Sequence, residues 1–238
     1  MMNKEAINKA RAVYYGLFAS LLTFFDNPND LKAIEKTIDL LAKNPLDEES
    51  SFALSNMQNL LITNGYAFLK EESDNVFFNP YSAYIPVTAS FYLESRDDGQ
   101  KRLEMVNYVL SSKFRRDTTK FKELEDHIGF IVLFLQKLIE EEIAGDTKSA
   151  LLAREVFEKI LNPFVDMFIE ALYAHESSIF YQECAVIMRS FIALERLYLQ
   201  VKKPLQEKET PKTFVKEVKK VRKPITPRPK KNMDEFVL

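Results

Sequence analysis

Apolar residues recur at three- and four-residue intervals along most of the chain, which is the spacing of amphipathic helices. Segment 4–25 shows this pattern first and predicts a helix. A second helix is predicted over 30–43, and it must stop before Pro45 because the residue before a proline is pushed out of the helical region. A third is predicted over 47–65, so the chain opens as a helical bundle.

Residues 66–99 interrupt this rhythm with aromatic residues that lack sustained helical spacing. We predict that most of this segment is an ordered aromatic loop, with a short helix over 89–94. Two further helices are predicted over 100–114 and 118–142. The aromatic residues of the loop are Tyr66, Phe68, Phe77, Phe78, Tyr81, Tyr84, Phe91 and Tyr92.

The last third is helical in pattern from Thr147 almost to Val201, with interruptions expected at 162–163 and 175–177. No alternation typical of a strand persists, so the sequence predicts an all-α protein with one helical-bundle domain over 1–201. Prolines scattered among lysines then predict a disordered basic tail over 202–238.

Charge divides the chain into two opposed parts. Residues 202–238 carry 12 Lys and Arg against 5 Asp and Glu, whereas residues 1–201 carry 21 against 30. An acidic body favours a basic peptide over nucleic acid or anionic lipid as its partner. We expect the basic tail to contact the partner protein, a membrane surface or the chain's own acidic body.

Several classes of protein are excluded by composition. The five glycines stand too far apart to form a phosphate-binding loop, and the single cysteine, Cys184, allows neither an internal disulfide nor a cysteine-based zinc site. The longest strongly apolar run, 128–135, is far short of the ~20 residues that span a bilayer. We expect a cytoplasmic protein without stable membrane insertion.

The strongest candidate for a site is the charged segment that directly precedes this apolar run. Glu123 begins it, and Asp126 and His127 end it. These side chains suit the capping of a helix, because a carboxylate is favoured at a helix start. They equally suit binding, because Asp126 can pair with an arginine guanidinium while His127 makes one hydrogen bond to a peptide. A metal site with His127 and His175 would need carboxylates for every other ligand, so none is predicted.

Together, these segments resemble the TorD/DmsD family, the cytoplasmic chaperones dedicated to exported molybdenum and tungsten enzymes. The resemblance covers about residues 8–200. It is carried by the first-helix pattern over 11–21, the proline-led segment 85–94, the E-x-x-D-H element over 123–127 and the aromatic helices over 157–168 and 180–199. The chain departs from the family pattern at Val87 and Glu125, where relatives have proline, and over 160–164.

The resemblance implies a chaperone rather than an enzyme. It implies binding of a twin-arginine signal peptide, help with cofactor insertion into the apo-enzyme and proofreading before export, with a formate dehydrogenase or a dimethyl-sulfoxide or trimethylamine-oxide reductase as client. Asp126 and Glu123 would then meet the basic part of the peptide, and His127 would make one hydrogen bond to it. Apolar residues such as Phe130 or Phe91 would hold its apolar part. It further implies a hinge around the aromatic loop over 66–99 and a monomer or a domain-swapped dimer. It implies no cofactor beyond transient contact with molybdopterin guanine dinucleotide or GTP.

Two other functions compete with this interpretation. A helical scaffold or regulator would recruit nucleic acid or membrane through the basic tail, and its affinity would fall steeply with salt. A helical hydrolase would use Asp126 and His127, although the chain lacks the additional ligands that such enzymes need.

Overall fold

Helices account for all the regular structure in residues 3–23, 28–119 and 121–204, which a computed structural model describes. Thr88 and His127 form an isolated antiparallel bridge, and there is no strand within these ranges. The predicted all-α fold is thereby confirmed. The helices are α1 (Lys4–Leu22), α2 (Pro28–Ala42), α3 (Glu48–Phe77), α4 (Ala89–Glu94), α5 (Gln100–Ser111), α6 (Ile128–Ile143), α7 (Thr147–Val156), α8 (Val165–Ala174) and α9 (Phe180–Leu199), with a π-helical turn Phe157–Leu161 after α7.

Helix α6 is the structural centre of the bundle. Of its first eight residues, seven are buried and Leu133 is half-buried. A helix that is apolar on all sides is stable only when other elements surround it. It packs against α1, α7 and the π-helical turn. Gly129 permits the closest approach to α1, because a Cβ atom there would lie 2.6 Å from the main-chain oxygen of Leu22.

A second core region joins α1 to α9. The ring of Phe191 stacks on Tyr14 at 5.2 Å between centroids and meets the edge of Tyr15 at 4.9 Å. A buried ion pair lies on the same two helices. Arg11 donates from Nε and Nη2 to the two carboxylate oxygens of Glu195, at 2.8 and 2.6 Å. The hydroxyl of Tyr15 donates to the same carboxylate at 3.0 Å, so charge and aromatic packing together connect the first helix to the last.

The predicted aromatic loop over 66–99 is wrong for its first part, because α3 continues to Phe77. The helix bends at Gly65, whose φ of 68° and ψ of −160° are not helical. Leu69, Glu72 and Val76 face the core beyond the bend. Because Glu72 is an acid, the core-facing positions of this part of α3 do not form a continuous apolar pattern in the sequence. The short helix predicted over 89–94 is confirmed as α4. Whether the segment acts as a hinge stays a prediction.

Other predicted bounds also need correction. α1 ends at Leu22 and α5 at Ser111, each three residues before the predicted end. The helix predicted over 118–142 begins only at Ile128, because the residues just before it are held by contacts with another part of the chain. Both predicted interruptions in the last third are confirmed. Most of the predicted tail, 205–238, lies outside the described residues.

We expect Gly65→Ala to lower the free energy of unfolding by about 1–3 kcal/mol, because its backbone region is open essentially to glycine alone. Space is not the obstacle, since no heavy atom lies within 4 Å of the position of an added Cβ. Urea unfolding measures the loss, with Thr63→Ala on the exposed face of α3 as control. Equal values for the two variants would contradict the prediction.

Candidate functional site

The loop before α4 and the turn before α6 lie side by side. The N–H of Ala89 donates to the carbonyl of Asp126 at 2.9 Å, and the N–H of Ile128 donates to the carbonyl of Val87 at 2.7 Å. These two bonds form the bridge between Thr88 and His127. We call this contact between residues 87–90 and 123–130 the junction. It brings the E-x-x-D-H element against the start of α4.

Asp126 lies fully buried in the junction, with none of its surface exposed. Its Oδ2 accepts a hydrogen bond from the N–H of Ser90 at 2.9 Å, in the first turn of α4. A carboxylate in this place satisfies an N–H group that has no partner within the helix, and the helix dipole favours its charge. Its Oδ1 is also buried and has no hydrogen-bond partner among the described residues.

His127 caps α6 through its imidazole ring. Nδ1 accepts a hydrogen bond from the N–H of Gly129 at 3.0 Å, which requires Nδ1 to be unprotonated. The side chain is buried against the ring of Phe121, at 5.7 Å between centroids. Burial lowers the pKa of His127 to about 4, so the ring is neutral near pH 7.

This burial predicts a pH dependence of stability. Between pH 6.5 and pH 4 the unfolded chain binds a proton at His127 and the folded chain does not, so stability is lost as the pH falls through this interval. The loss between pH 7 and pH 5 is about 2 kcal/mol. We expect the His127→Asn variant not to show this loss, because asparagine can cap the helix without titrating. Denaturant unfolding of both proteins at the two pH values measures the difference in stability. Parallel losses in the two proteins would contradict the prediction.

Glu125 is held between two arginines that the sequence analysis did not single out. Arg102 Nε donates to Oε2 at 2.9 Å, and Arg116 Nε lies 3.0 Å from Oε1. Burial raises the pKa of Glu125, but the hydrogen bond from Arg102 and the charge of Arg116 outweigh it, and the pKa lies below its ordinary value. Adjacent arginines at 115–116, shortly before an acidic run, were the only sequence signal for this pairing.

The predicted site residues differ in their access to solvent. Glu123 is exposed, and its main-chain carbonyl accepts a hydrogen bond from Arg116. Phe91 is half-buried on α4, with its ring against Tyr84 at 5.8 Å. Phe130 is buried and packs on Phe121 at 5.2 Å. The structure thus gathers all five predicted residues around the junction, two of them at its surface and three in its interior.

The hydrogen bonds of the junction do not form a catalytic dyad. An acid that orients a histidine for catalysis accepts from an imidazole N–H, whereas here Nδ1 of His127 and Oδ2 of Asp126 both accept from main-chain N–H groups. Within the described ranges, no three His, Cys, Asp or Glu side chains are placed to hold a metal ion. In those ranges, too, no helix is long and apolar enough to cross a membrane.

The family model described as nitrate reductase delta subunit matches residues 43–170, a range that contains both halves of the junction. No curated protein matches the chain.

Proposed function

This chain belongs to the nitrate reductase delta subunit family, of NarJ/TorD type, and we propose from that premise which step of enzyme maturation it serves. Family membership makes it a maturation chaperone of a molybdoenzyme. In our proposal the chain binds the twin-arginine leader of an apo-oxidoreductase in the cytoplasm. It keeps the enzyme from export until the molybdenum cofactor has been inserted. The cofactor belongs to the client and is not a resident group of this chain.

The observation that carries the proposal is the family match over residues 43–170, because it includes the whole junction. Charge supports it independently. Residues 1–201 have nine more acidic than basic side chains, and such a field attracts a leader that carries paired arginines. Formate dehydrogenase and the dimethyl-sulfoxide and trimethylamine-oxide reductases are the candidate clients.

Within this proposal the five site residues act in two stages. Glu123 and Phe91 are accessible and meet the leader first, one through charge and the other through apolar contact. Asp126, His127 and Phe130 form the buried floor of the junction. A peptide reaches them only when the bridge between residues 88 and 127 opens, and the unpaired Oδ1 of Asp126 is then available to an arginine.

Calorimetric titration of the full chain with twin-arginine leaders from several molybdoenzymes tests the proposal. We expect Glu123→Lys to weaken binding by at least about fivefold without lowering the melting temperature, because the carboxylate is exposed. Asp39→Lys on α2 is the control, since it reverses the same charge at another exposed position. Lack of binding to every leader would refute leader recognition, and equal effects of the two variants would refute the role of the junction.

Asp126→Asn tests the second stage, because it keeps the shape of the side chain and an oxygen that accepts from Ser90. If the leader reaches the buried floor, this variant loses affinity beyond the loss explained by its lower stability. Affinity unchanged in Asp126→Asn but reduced in Glu123→Lys would confine the leader to the surface of the junction.

A further inference from the structure

A groove of about 460 Å³ lies where the starts of α3 and α9 meet the end of α8. Its walls include two exposed aromatic side chains, Phe52 at 70% and Tyr173 at 45%. Val186, which is half-buried, completes the apolar surface. The groove lies outside the junction and has no part in the function proposed above. An apolar surface of this shape can accept an extended or helical segment of chain.

The groove also has a negative rim. Glu48 and Glu49 stand in the first turn of α3, and Glu183 stands in the first turn of α9. Arg189 is the only cation of the lining within the described part of the chain, and it already pairs with Glu49 at 2.8 Å. Apolar walls with a negative rim fit a segment that is both basic and apolar.

The chain itself supplies such a segment beyond the described residues. Residues 212–231 contain nine Lys and Arg against one Glu. Apolar residues stand among the charges at Phe214, Val218 and Val221. The chemistry of this segment is therefore complementary to both the walls and the rim of the groove.

The point where the chain leaves the bundle is fixed. Val201 is buried, and the carbonyl of Lys202 accepts a hydrogen bond from Asn162 Nδ2 at 3.0 Å. Lys203 pairs with Asp166 at 3.3 Å, at the start of α8. These contacts hold residues 201–203 at the C-terminal end of α9, whereas the groove lies at the N-terminal end of the same helix.

The length of the intervening chain matches this separation. From Glu183 to the end of the bundle at Val201, α9 and its cap extend about 27 Å at 1.5 Å per residue. An extended chain covers that distance in about eight residues. Eight residues after Pro204 the chain arrives at Lys212, where the basic segment begins.

We infer that the groove between α3, α8 and α9 binds residues 212–231 of the same molecule. The lysines and arginines face Glu48, Glu49 and Glu183, and the apolar residues contact Phe52 and Tyr173. The docked segment covers the two exposed aromatic rings and neutralises part of the acidic body. Because residues 212–231 are tethered to the bundle by the chain itself, contacts that are individually weak suffice to keep the groove occupied.

Limited proteolysis of the full chain tests this inference, because trypsin cleaves after lysine and arginine. The measured quantity is the initial rate of cleavage within 212–231, followed by mass spectrometry. We expect the rate to rise roughly fivefold in Glu48→Gln/Glu49→Gln, which removes two rim charges, and similarly in Phe52→Ser. Raising the salt concentration should increase the wild-type rate as well, because the charges involved are exposed.

Matched controls separate docking from general effects. Asp39→Asn/Glu71→Gln removes the same charge at exposed positions away from the groove, and Ile62→Ser removes an equally exposed apolar side chain from α3. Neither should change the rate. Equal rates in the wild type and the groove variants would overturn the inference, as would equal acceleration in the controls. Protection that increases with protein concentration would overturn the intramolecular form, since a second copy would then occupy the groove.

Discussion

Replacing Glu195 with alanine is expected to lower the free energy of unfolding by about 3–5 kcal/mol. The guanidinium of Arg11 would stay buried, with 5% of the residue exposed, but would lose both carboxylate oxygens of Glu195. It would keep the amide oxygen of Asn8 at 2.8 Å and the carboxylate of Glu142 at 3.7 Å. The hydroxyl of Tyr15 would lose its acceptor as well. A buried charge that loses its closest acid keeps the cost of leaving water, and a more distant acid offsets little of that cost. Chemical denaturation at pH 7 measures the loss.

An exposed ion pair provides the matched control. Glu155 and Lys159 lie 3.3 Å apart, and their side chains are 48% and 55% exposed. Water screens this pair, so Glu155→Ala is expected to cost less than about 1 kcal/mol. Similar losses for Glu195→Ala and Glu155→Ala would show that burial is not the cause. Replacing both Arg11 and Glu195 by apolar residues should recover much of the loss, because no unpaired charge remains.

Glu72→Ala is expected to destabilise the protein by about 3 kcal/mol or more, because it leaves three N–H groups without an acceptor at the start of α9. The buried carboxylate of Glu72 accepts from the N–H groups of Ile179, Phe180 and Tyr181, at 2.8, 3.1 and 2.9 Å. Alanine cannot replace these bonds, and the N–H groups of Phe180 and Tyr181 are buried away from water. The free energy of unfolding in urea reports the cost.

A solvent-exposed cap is the comparison for Glu72. Asp146 caps α7 by accepting from the N–H of Lys148 at 3.0 Å. Water can replace that bond, so Asp146→Ala is expected to cost clearly less than Glu72→Ala. If Glu72→Ala cost no more than Asp146→Ala, the three bonds to α9 would contribute no more than an ordinary local cap.

Acids from distant parts of the sequence thus determine where two helices begin. Glu72 caps α9 from more than 100 residues away, and Asp126 caps α4 from 36 residues away. Both caps connect segments that a helical pattern would treat separately. At the junction the result is a buried floor with an accessible edge, and the proposed leader binding uses both parts.

The fold class and most helix positions could be predicted from the residues, because apolar spacing within a helix is a local property. The charged element at 123–127 could be located in the same way, since an acidic run before an apolar run is visible in the residues alone. The TorD/DmsD resemblance, seen in short segments, agrees with the family match over residues 43–170. The short sequence segments and the family model therefore identify the same family.

The contacts that those residues make could not be predicted in this way, because they depend on the tertiary fold. The sequence placed Asp126 in the first turns of its own helix, but the fold assigns its carboxylate to α4 and leaves the capping of α6 to His127. The sequence likewise marked a loop where α3 continues past Gly65, because Glu72 is buried by a helix that lies far along the chain. A hydrogen bond between distant residues depends on how the helices pack in the folded chain. The spacing of neighbouring residues does not specify that packing.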